Sequence, residues 1–415
     1  MPGSLVGEVA ATLADDSYGR TRMSLLRSAR FPAIVLLVAA AAGLVVANSP
    51  AGGPVDDFLH TYVGIDGIFE LTVDHWIADG LLAIFFFVVA VELQYELTSG
   101  QLNSARKAMQ PAIAAAGGVL VPIAIYLVFA FGSDAADGWP IPTATDIAFA
   151  LGVLAVFGKG LPAALRVFLL ALAILDDIVG IVFIAVLFTT DVDFGMLGLA
   201  LVTLVLFGIL SRQLDSRAKV PIAIVLVILA ILTWAFVYQS GVHATIAGVV
   251  LGLAMAQRPA LRVRHELEPW VNVIVLPLFA FNAALVAVPA VSLGELSPAF
   301  WGVLVALPVG KILGITVFGW ISLRIGDRSA APPLKLGDLL AAGALGGIGF
   351  TVSLLLSELA FGDQPEIRDQ AILGVLAGSV ISLIAAGILV SWRAWHYRKQ
   401  AAIAAAGTTS TPTAS

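Results

Sequence analysis

Four ionisable residues lie deep inside apolar stretches of this sequence, namely Asp146, Asp176, Asp177 and Lys311. A charge at the centre of a membrane-spanning helix costs roughly 2.5–3.5 kcal/mol, so charges kept at that depth mark ion or proton pathways. Adjacent aspartates on one helix point about 100° apart, so one carboxylate can face a cavity while the other faces a neighbouring helix. Carboxylate oxygens suit a hard cation and suit protons equally well. A site that binds either a cation or protons, and never both, is typical of an exchanger.

An internal ion pair that only fixes helix packing is the alternative interpretation of these charges. One lysine cannot neutralise three carboxylates, however, so the sequence favours a functional site.

Helix-breaking residues accompany two of the charges. Two prolines and two threonines occur at positions 140–145 before Asp146, and glycines recur between 343 and 349. Glycine also permits close helix packing, which is a sufficient explanation for Gly343 alone. Paired interrupted helices in the two halves of a chain indicate the site of an inverted-repeat transporter. Broken helices leave partial positive charge at their N-termini and partial negative charge at their C-termini, and we expect Asp146 to offset the first and Lys311 the second.

The surrounding composition is that of a membrane protein. Of 415 residues, 60% are hydrophobic and 12% are charged, against about 25% charged residues in soluble proteins. This excludes a soluble enzyme and a disordered chain, and the net charge of −6 offers no basic surface for nucleic acid. We predict an all-α polytopic membrane protein with twelve transmembrane helices, each about 20 apolar residues long. The predicted spans are roughly 31–47, 77–97, 111–132, 141–157, 163–188, 194–211, 220–239, 243–256, 271–290, 299–323, 337–361 and 368–392.

The positions of the basic residues predict the orientation, because short cytoplasmic loops carry the excess of Lys and Arg. With a cytoplasmic N-terminus, all of the 22 Lys and Arg residues except Arg368 and Lys311 fall on the cytoplasmic side. We therefore predict a multi-pass protein of a bacterial-type cytoplasmic (inner) membrane with both termini in the cytoplasm. The first stretch also fits a cleaved signal peptide ending near Ala47, but eleven further spans favour a retained helix.

Outside the spans, the sequence predicts two tails and one hairpin. Residues 1–30 and 396–415 lack apolar periodicity and are predicted to be disordered cytoplasmic tails around a domain at 31–395. In the longest outside loop, 48–76, the segment 62–71 is predicted to form a β-hairpin, because apolar residues flank Asp66-Gly67, a strong turn signal. An irregular loop is the alternative. A lone hairpin is marginal in water, so we expect it to pair with something, such as a second protomer.

Five motifs closely resemble those of the NhaA-type sodium/proton antiporters. The similarity extends from about residue 31 to 395, and the motifs occupy residues 139–152, 173–177, 240–245, 310–315 and 347–351. The resemblance implies two inverted repeats, formed by spans three to five and ten to twelve, whose interrupted helices cross in mid-membrane. It also implies exchange of internal sodium (or lithium) for external protons, which serves sodium extrusion and pH homeostasis. Such a transporter is not an enzyme and carries no cofactor beyond its ions.

The resemblance assigns roles to individual residues. It implies that Asp176 and Asp177 are the cation and proton ligands, that Thr145 lines their site, and that Lys311 pairs with Asp176. The hairpin at 62–71 falls where the family has a hairpin that contacts a second protomer, so a homodimer surrounded by membrane lipid is expected.

Acidic and histidine residues near the ends of the spans are candidates for the pH response. The segment from Glu92 to Glu96 keeps the acids of the family pattern but has lost both of its bases. The run Arg264-His265-Glu266-Leu267-Glu268 also departs from the family pattern before span nine. These groups cluster at the predicted cytoplasmic mouth, where they could hold cations. His243, near the outer surface, has a side chain type that titrates near neutrality; a hydrogen-bonded interface histidine is the alternative.

A sodium-coupled organic solute symporter of related inverted-repeat fold is the alternative function. It needs a basic or hydroxyl group for the organic substrate, which Lys311 offers, but the aspartate pair keeps the cavity acidic. An intramembrane aspartyl protease needs two carboxylates that converge on one carbonyl, and the adjacent Asp176 and Asp177 cannot converge in this way.

Overall fold

The computed structural model of the chain describes residues 30–65, 69–100, 102–189, 191–216, 218–325 and 334–408. In chain order its elements are α1 (Arg30–Ala47), α2 (Gly52–Leu59), β1 (Tyr62–Ile65), β2 (Phe69–Thr72), α3 (Val73–Thr98), α4 (Ala105–Ala130), α5 (Ile147–Phe157), α6 (Ala163–Leu187), α7 (Phe194–Ser211), α8 (Lys219–Gln239), α9 (Thr245–Ala254), α10 (Gln257–Trp270), α11 (Leu276–Ala283), α12 (Pro298–Val305), α13 (Lys311–Ile325), α14 (Leu336–Gly346), α15 (Phe350–Ala360) and α16 (Pro365–Thr408). Turns of π-helix occur at Trp76–Leu81 within α3, at Val271–Val275 before α11 and at Ala306–Gly310 before α13.

The protein is a mostly helical, multi-pass membrane protein. Within the described part of the chain, seven helices are long and apolar enough to cross a membrane, and three bent pairs bring the number to ten if each pair is one span. The only described sheet has two strands. The helix α9 is apolar but shorter than these spans.

The helix bounds follow most of the apolar stretches closely, with exceptions at the ninth predicted span and at the C-terminal tail. The predicted span 271–290 ends early, because α11 stops at Ala283. The tail predicted to be disordered from residue 396 is instead helical as far as Thr408. Its alanine-rich sequence explains the difference, since alanine has the highest intrinsic helix propensity. Residues 1–29 and 409–415 lie outside the described residues.

Two helical spans are broken in the middle and touch each other at the breaks. The segment Ala136–Thr143 meets α5 at 40°, and α14 meets α15 at 49°. Proline lacks an N–H donor and glycine weakens a helix, so each break falls at these residue types. The backbone N–H of Asp146, in the first break, donates to the carbonyl of Ile348 in the second, with an N–O distance of 2.6 Å.

Glycines bring the helix that carries Lys311 into backbone contact with α4. A Cβ atom at Gly117 would lie 2.4 Å from the carbonyl oxygen of Gly314, and one at Gly314 would lie 2.1 Å from that of Gly117. Small residues allow this approach, as they do between many membrane helices. The crossing fixes α13 beside α4, so the lysine at the start of α13 is held at a defined depth.

The predicted hairpin is present, and its inner strand is anchored by aromatic side chains. Strands β1 and β2 pair antiparallel with Ile65 opposite Phe69, and the predicted turn at Asp66-Gly67 lies outside the described residues. Phe69 makes edge contacts with three aromatic rings, and two of these, Trp76 and Trp234, stack on each other with centroids 5.4 Å apart. The outer strand β1 is exposed at all four residues.

Candidate ion-binding site

A buried ion pair joins α13 to α6. The Lys311 Nζ lies 2.7 Å from Asp176 Oδ2, and both side chains are 0% exposed. The ammonium also donates to the carbonyl of Thr143 and to the hydroxyl of Thr145. A lysine has three N–H donors, so each of them has an acceptor.

The second aspartate of the pair faces a cavity. Asp177 is the next residue of α6 and is therefore turned by about 100° from Asp176. It is only 7% exposed, and it lines a cavity of about 410 Å³ together with Thr145 and Asp146. Its Oδ1 atom has no hydrogen-bond partner among the described residues. A buried polar atom without a partner calls for an explanation, and an oxygen free to bind a cation or proton provides one.

The carboxylate of Asp146 faces the N-termini of two half-helices. It caps α5 by accepting from the N–H of Phe149 at 3.1 Å. It also accepts from the hydroxyl of Thr351 at 2.8 Å and from the N–H of the same residue at 3.3 Å, in the first turn of α15. Helix N-termini carry partial positive charge, so Asp146 balances both. Lys311 does the opposite, because it donates to the Thr143 carbonyl at the end of a short 3₁₀ turn.

The hydroxyl of Thr145 connects the charged pair to the second broken span. Its Oγ1 lies 2.8 Å from Asp176 Oδ2 and 2.9 Å from the carbonyl oxygen of Gly346. One hydroxyl proton serves one acceptor at a time. The Thr145 hydroxyl can therefore donate either to Asp176 or to the carbonyl oxygen of Gly346. This choice lets the hydroxyl adjust to a change in the charge of Asp176.

The cavity carries more acids than bases. Its lining includes the carboxylates of Glu92 and Glu268 as well as those of Asp146 and Asp177, against the single guanidinium of Arg264. Clefts lined by one sign of charge concentrate ions of the opposite sign. The cavity is therefore suited to cations.

Other predicted site residues are divided between the cavity and other parts of the molecule. His265 lines the cavity with Glu92, whereas Glu96 is buried away from its wall and Glu266 is exposed. His243 is elsewhere: its Nε2 lies 3.5 Å from Asp79 Oδ1 and its Nδ1 lies 2.9 Å from the hydroxyl of Thr245.

Three residues were not among the predicted site residues, although Arg264 belongs to the run that departs from the family pattern. Asp79 is an acid only 8% exposed within α3, and the signal for it was an aspartate two positions inside a predicted span. Arg264 and Asn272 line the cavity, and the signal for them was their helical phase: both are separated by multiples of four from Glu268 on the same helical segment.

Oxygen atoms dominate the site. Among the described residues, no group of three or more His, Asp or Glu side chains is arranged to hold a resident metal ion. Asp176, Asp177 and Thr145 present carboxylate and hydroxyl oxygens, the ligand type that hard cations prefer.

Comparisons with known proteins agree with this chemistry. The sequence model of the family described as Na⁺/H⁺ antiporter 1 matches residues 23–390. The Na(+)/H(+) antiporter NhaA 2 of Clavibacter michiganensis subsp. michiganensis is 52% identical over 389 residues, which is 92% of this chain and 94% of that protein. The Na(+)/H(+) antiporter NhaA of Tropheryma whipplei is 46% identical over 89% of this chain and 95% of its own length. That of Thermobifida fusca is 42% identical over 90% and 94%, respectively.

Proposed function

We propose that this chain, which belongs to the Na⁺/H⁺ antiporter 1 family, expels internal sodium or lithium in exchange for external protons at Asp176 and Asp177. The protein is a sodium/proton antiporter and not an enzyme, and it needs no cofactor. The observation that carries the site assignment is the carboxylate of Asp177. It lies at the wall of an acidic cavity and keeps one buried oxygen without a partner among the described residues.

In this mechanism sodium and protons exclude each other. A sodium ion in the cavity is held by Asp177, with Asp176 and Thr145 as further oxygen ligands. When protons bind the carboxylates, the negative charge that held the cation is gone and sodium leaves. Asp146 and Lys311 keep the broken helices charge-balanced in both states, because they face helix termini and not the ion alone. Under an inward proton gradient the cycle exports sodium and acidifies the cytoplasm, which serves sodium extrusion and pH homeostasis.

We further propose twelve crossings with two inverted repeats and with both termini in the cytoplasm of a bacterial inner membrane. Ten candidate spans and the short apolar α9 lie within the described residues, and α11 with its preceding π turn supplies a twelfth apolar segment. The contact between the two breaks supports the repeats, since each repeat contributes one interrupted span. The distribution of Lys and Arg supports the orientation.

A homodimer joined through the hairpin at 62–71 is the proposed assembly. The exposed strand β1 supports it, because an edge strand offers unpaired backbone N–H and C=O groups to another chain.

For the pH response we propose that titration of the aspartate pair itself dominates. Of the candidate pH-responsive residues, Glu92, His265 and Glu268 line the cavity, whereas Glu96, Glu266 and His243 do not and are expected to act indirectly or not at all. Substituting Glu92 and Glu266 together by Gln should leave the pH midpoint of exchange within one unit of its original value, at saturating sodium.

The experiment for the site is sodium-driven proton movement in sealed vesicles that contain the purified protein and no organic solute. Asp177→Asn keeps the shape of the side chain but cannot exchange a cation for a proton, so exchange should be lost. Asp134→Asn, an exposed loop position, is the matched control and should transport normally. Normal exchange by Asp177→Asn would refute the site, and a response that requires an organic solute would favour the symporter.

A further inference from the structure

We infer that the guanidinium of Arg264 acts as a tethered cation at the mouth of the cavity, where it occupies Glu92 until a sodium ion replaces it. This inference rests on the proposed function, since it concerns the route by which sodium reaches Asp177. It makes Arg264 a positioning residue that sets the apparent affinity for sodium and takes no part in binding at the aspartate pair.

The contacts of Arg264 place it between two acids. Its guanidinium forms an ion pair with Glu92 of α3, and it lies 3.8 Å from Glu268, one turn further along its own helix. The side chains of Arg264 and Glu92 are 26% and 20% exposed. This ion pair is therefore better shielded from bulk water than an ion pair at the protein surface. All three side chains line the cavity that reaches Asp177.

Glu268, the second acid beside Arg264, lowers the free-energy cost of displacing the guanidinium from Glu92. A sodium ion that binds Glu92 removes one partner of Arg264, and leaving a half-buried charge unpaired would raise the free energy of the site. Glu268 prevents this, because residues separated by four positions are neighbours on a helix face. The guanidinium can turn to Glu268 and remain paired while sodium holds Glu92. Two carboxylates and one fixed cation thus leave the mouth with a net negative charge and one place for a mobile cation.

A purely structural role for the ion pair is less well supported, because other bonds already join these segments. The Gln94 side chain on α3 donates to the carbonyls of Leu253 and Met255, at 2.7 and 2.9 Å. At the start of α10, Gln257 donates to the hydroxyl of Thr98 at 2.7 Å. These contacts hold α10 against the end of α3 without Arg264.

The test is the apparent sodium KM of exchange in vesicles, measured for a set of variants. Arg264→Gln removes the competing cation, so the KM should fall by up to about fivefold, since ion pairs at partly exposed sites are worth up to roughly 1 kcal/mol. Arg264→Lys keeps the positive charge and should keep the KM near that of the unmodified protein. Arg262→Gln is the matched control: Arg262 lies two residues away, pairs with Asp215 and is 60% exposed, so its loss should leave the KM unchanged.

A double substitution separates competition from structure. Glu92→Gln leaves Arg264 with one carboxylate fewer to balance it, and the KM should rise. Adding Arg264→Gln to that variant should bring the KM back toward the starting value. The inference is overturned if Arg264→Gln leaves the KM unchanged or raises it, or if the double variant is no better than Glu92→Gln. Loss of exchange in Asp177→Asn alongside such a result would leave the proposed function standing, so the two failures are distinguishable.

Discussion

Replacing Lys311 by alanine should destabilise the protein by about 3–5 kcal/mol, the usual cost of removing one partner of a buried ion pair. The structure gives the reason. Both partners are fully buried, and three hydrogen bonds from the ammonium are lost at once. Asp176 Oδ1 has no partner among the described residues, so the carboxylate would keep only the hydroxyl of Thr145. A loss of this size should lower the melting temperature in detergent by several degrees.

The assay is thermal unfolding of the purified protein in detergent at neutral and at acidic pH. Removing both charges, in Asp176→Asn with Lys311→Ala, should recover most of the lost stability, because no unpaired ion then stays buried. The defect of the single variant should also shrink in acid, where a proton can replace the missing cation on Asp176. A single variant that melts like the unmodified protein would contradict the pairing, as would a double variant that melts as low as the single one.

Three further outcomes follow from contacts described above. Apparent sodium affinity should rise with pH and then level off, because protons compete for the aspartate pair; a KM that stays constant from acidic to alkaline pH in vesicles would contradict the competition. Gly117→Ala places a Cβ against the backbone of α13 and should cost about 1–3 kcal/mol of stability by overpacking, whereas Gly53→Ala, with no heavy atom within 4 Å, should not lower the melting temperature. Thr351→Val removes a hydrogen bond to a carboxylate, worth about 1.5–3 kcal/mol; unchanged thermal unfolding would argue against that contact.

Much of the helical architecture was readable from the sequence because apolar stretches and their Gly, Pro and charged boundaries set helix limits directly. The predicted span 163–188 and the helix Ala163–Leu187 differ by one residue. The end of α16 was missed because polar and basic residues after 393 resemble a solvated tail, although alanine after them extends the helix.

The ionisable residues of the site could be found from sequence, but their orientations could not. Helix α6 is apolar on nearly all sides, so its pattern does not tell which of Asp176 and Asp177 faces a cavity. The contacts of Asp146 with Thr351 join residues 205 positions apart, which no local pattern predicts. For α10 the signal was present: Arg264 and Glu268 share one helix face, and Glu266 points away from it.

The aromatic cluster at the hairpin, formed by Phe69, Trp76, Trp234 and Tyr238, also gives the protein an intrinsic fluorescence signal. Two of its eight tryptophans, Trp76 and Trp234, stack directly, and the indole N–H of Trp76 donates to the carbonyl of Val63 in the outer strand. Undocking the hairpin would take Phe69 away from both rings and break the hydrogen bond of Trp76, and the newly wetted indoles would change in emission intensity and wavelength. The attachment of this hairpin can therefore be followed in unlabelled protein, separately from unfolding of the helices.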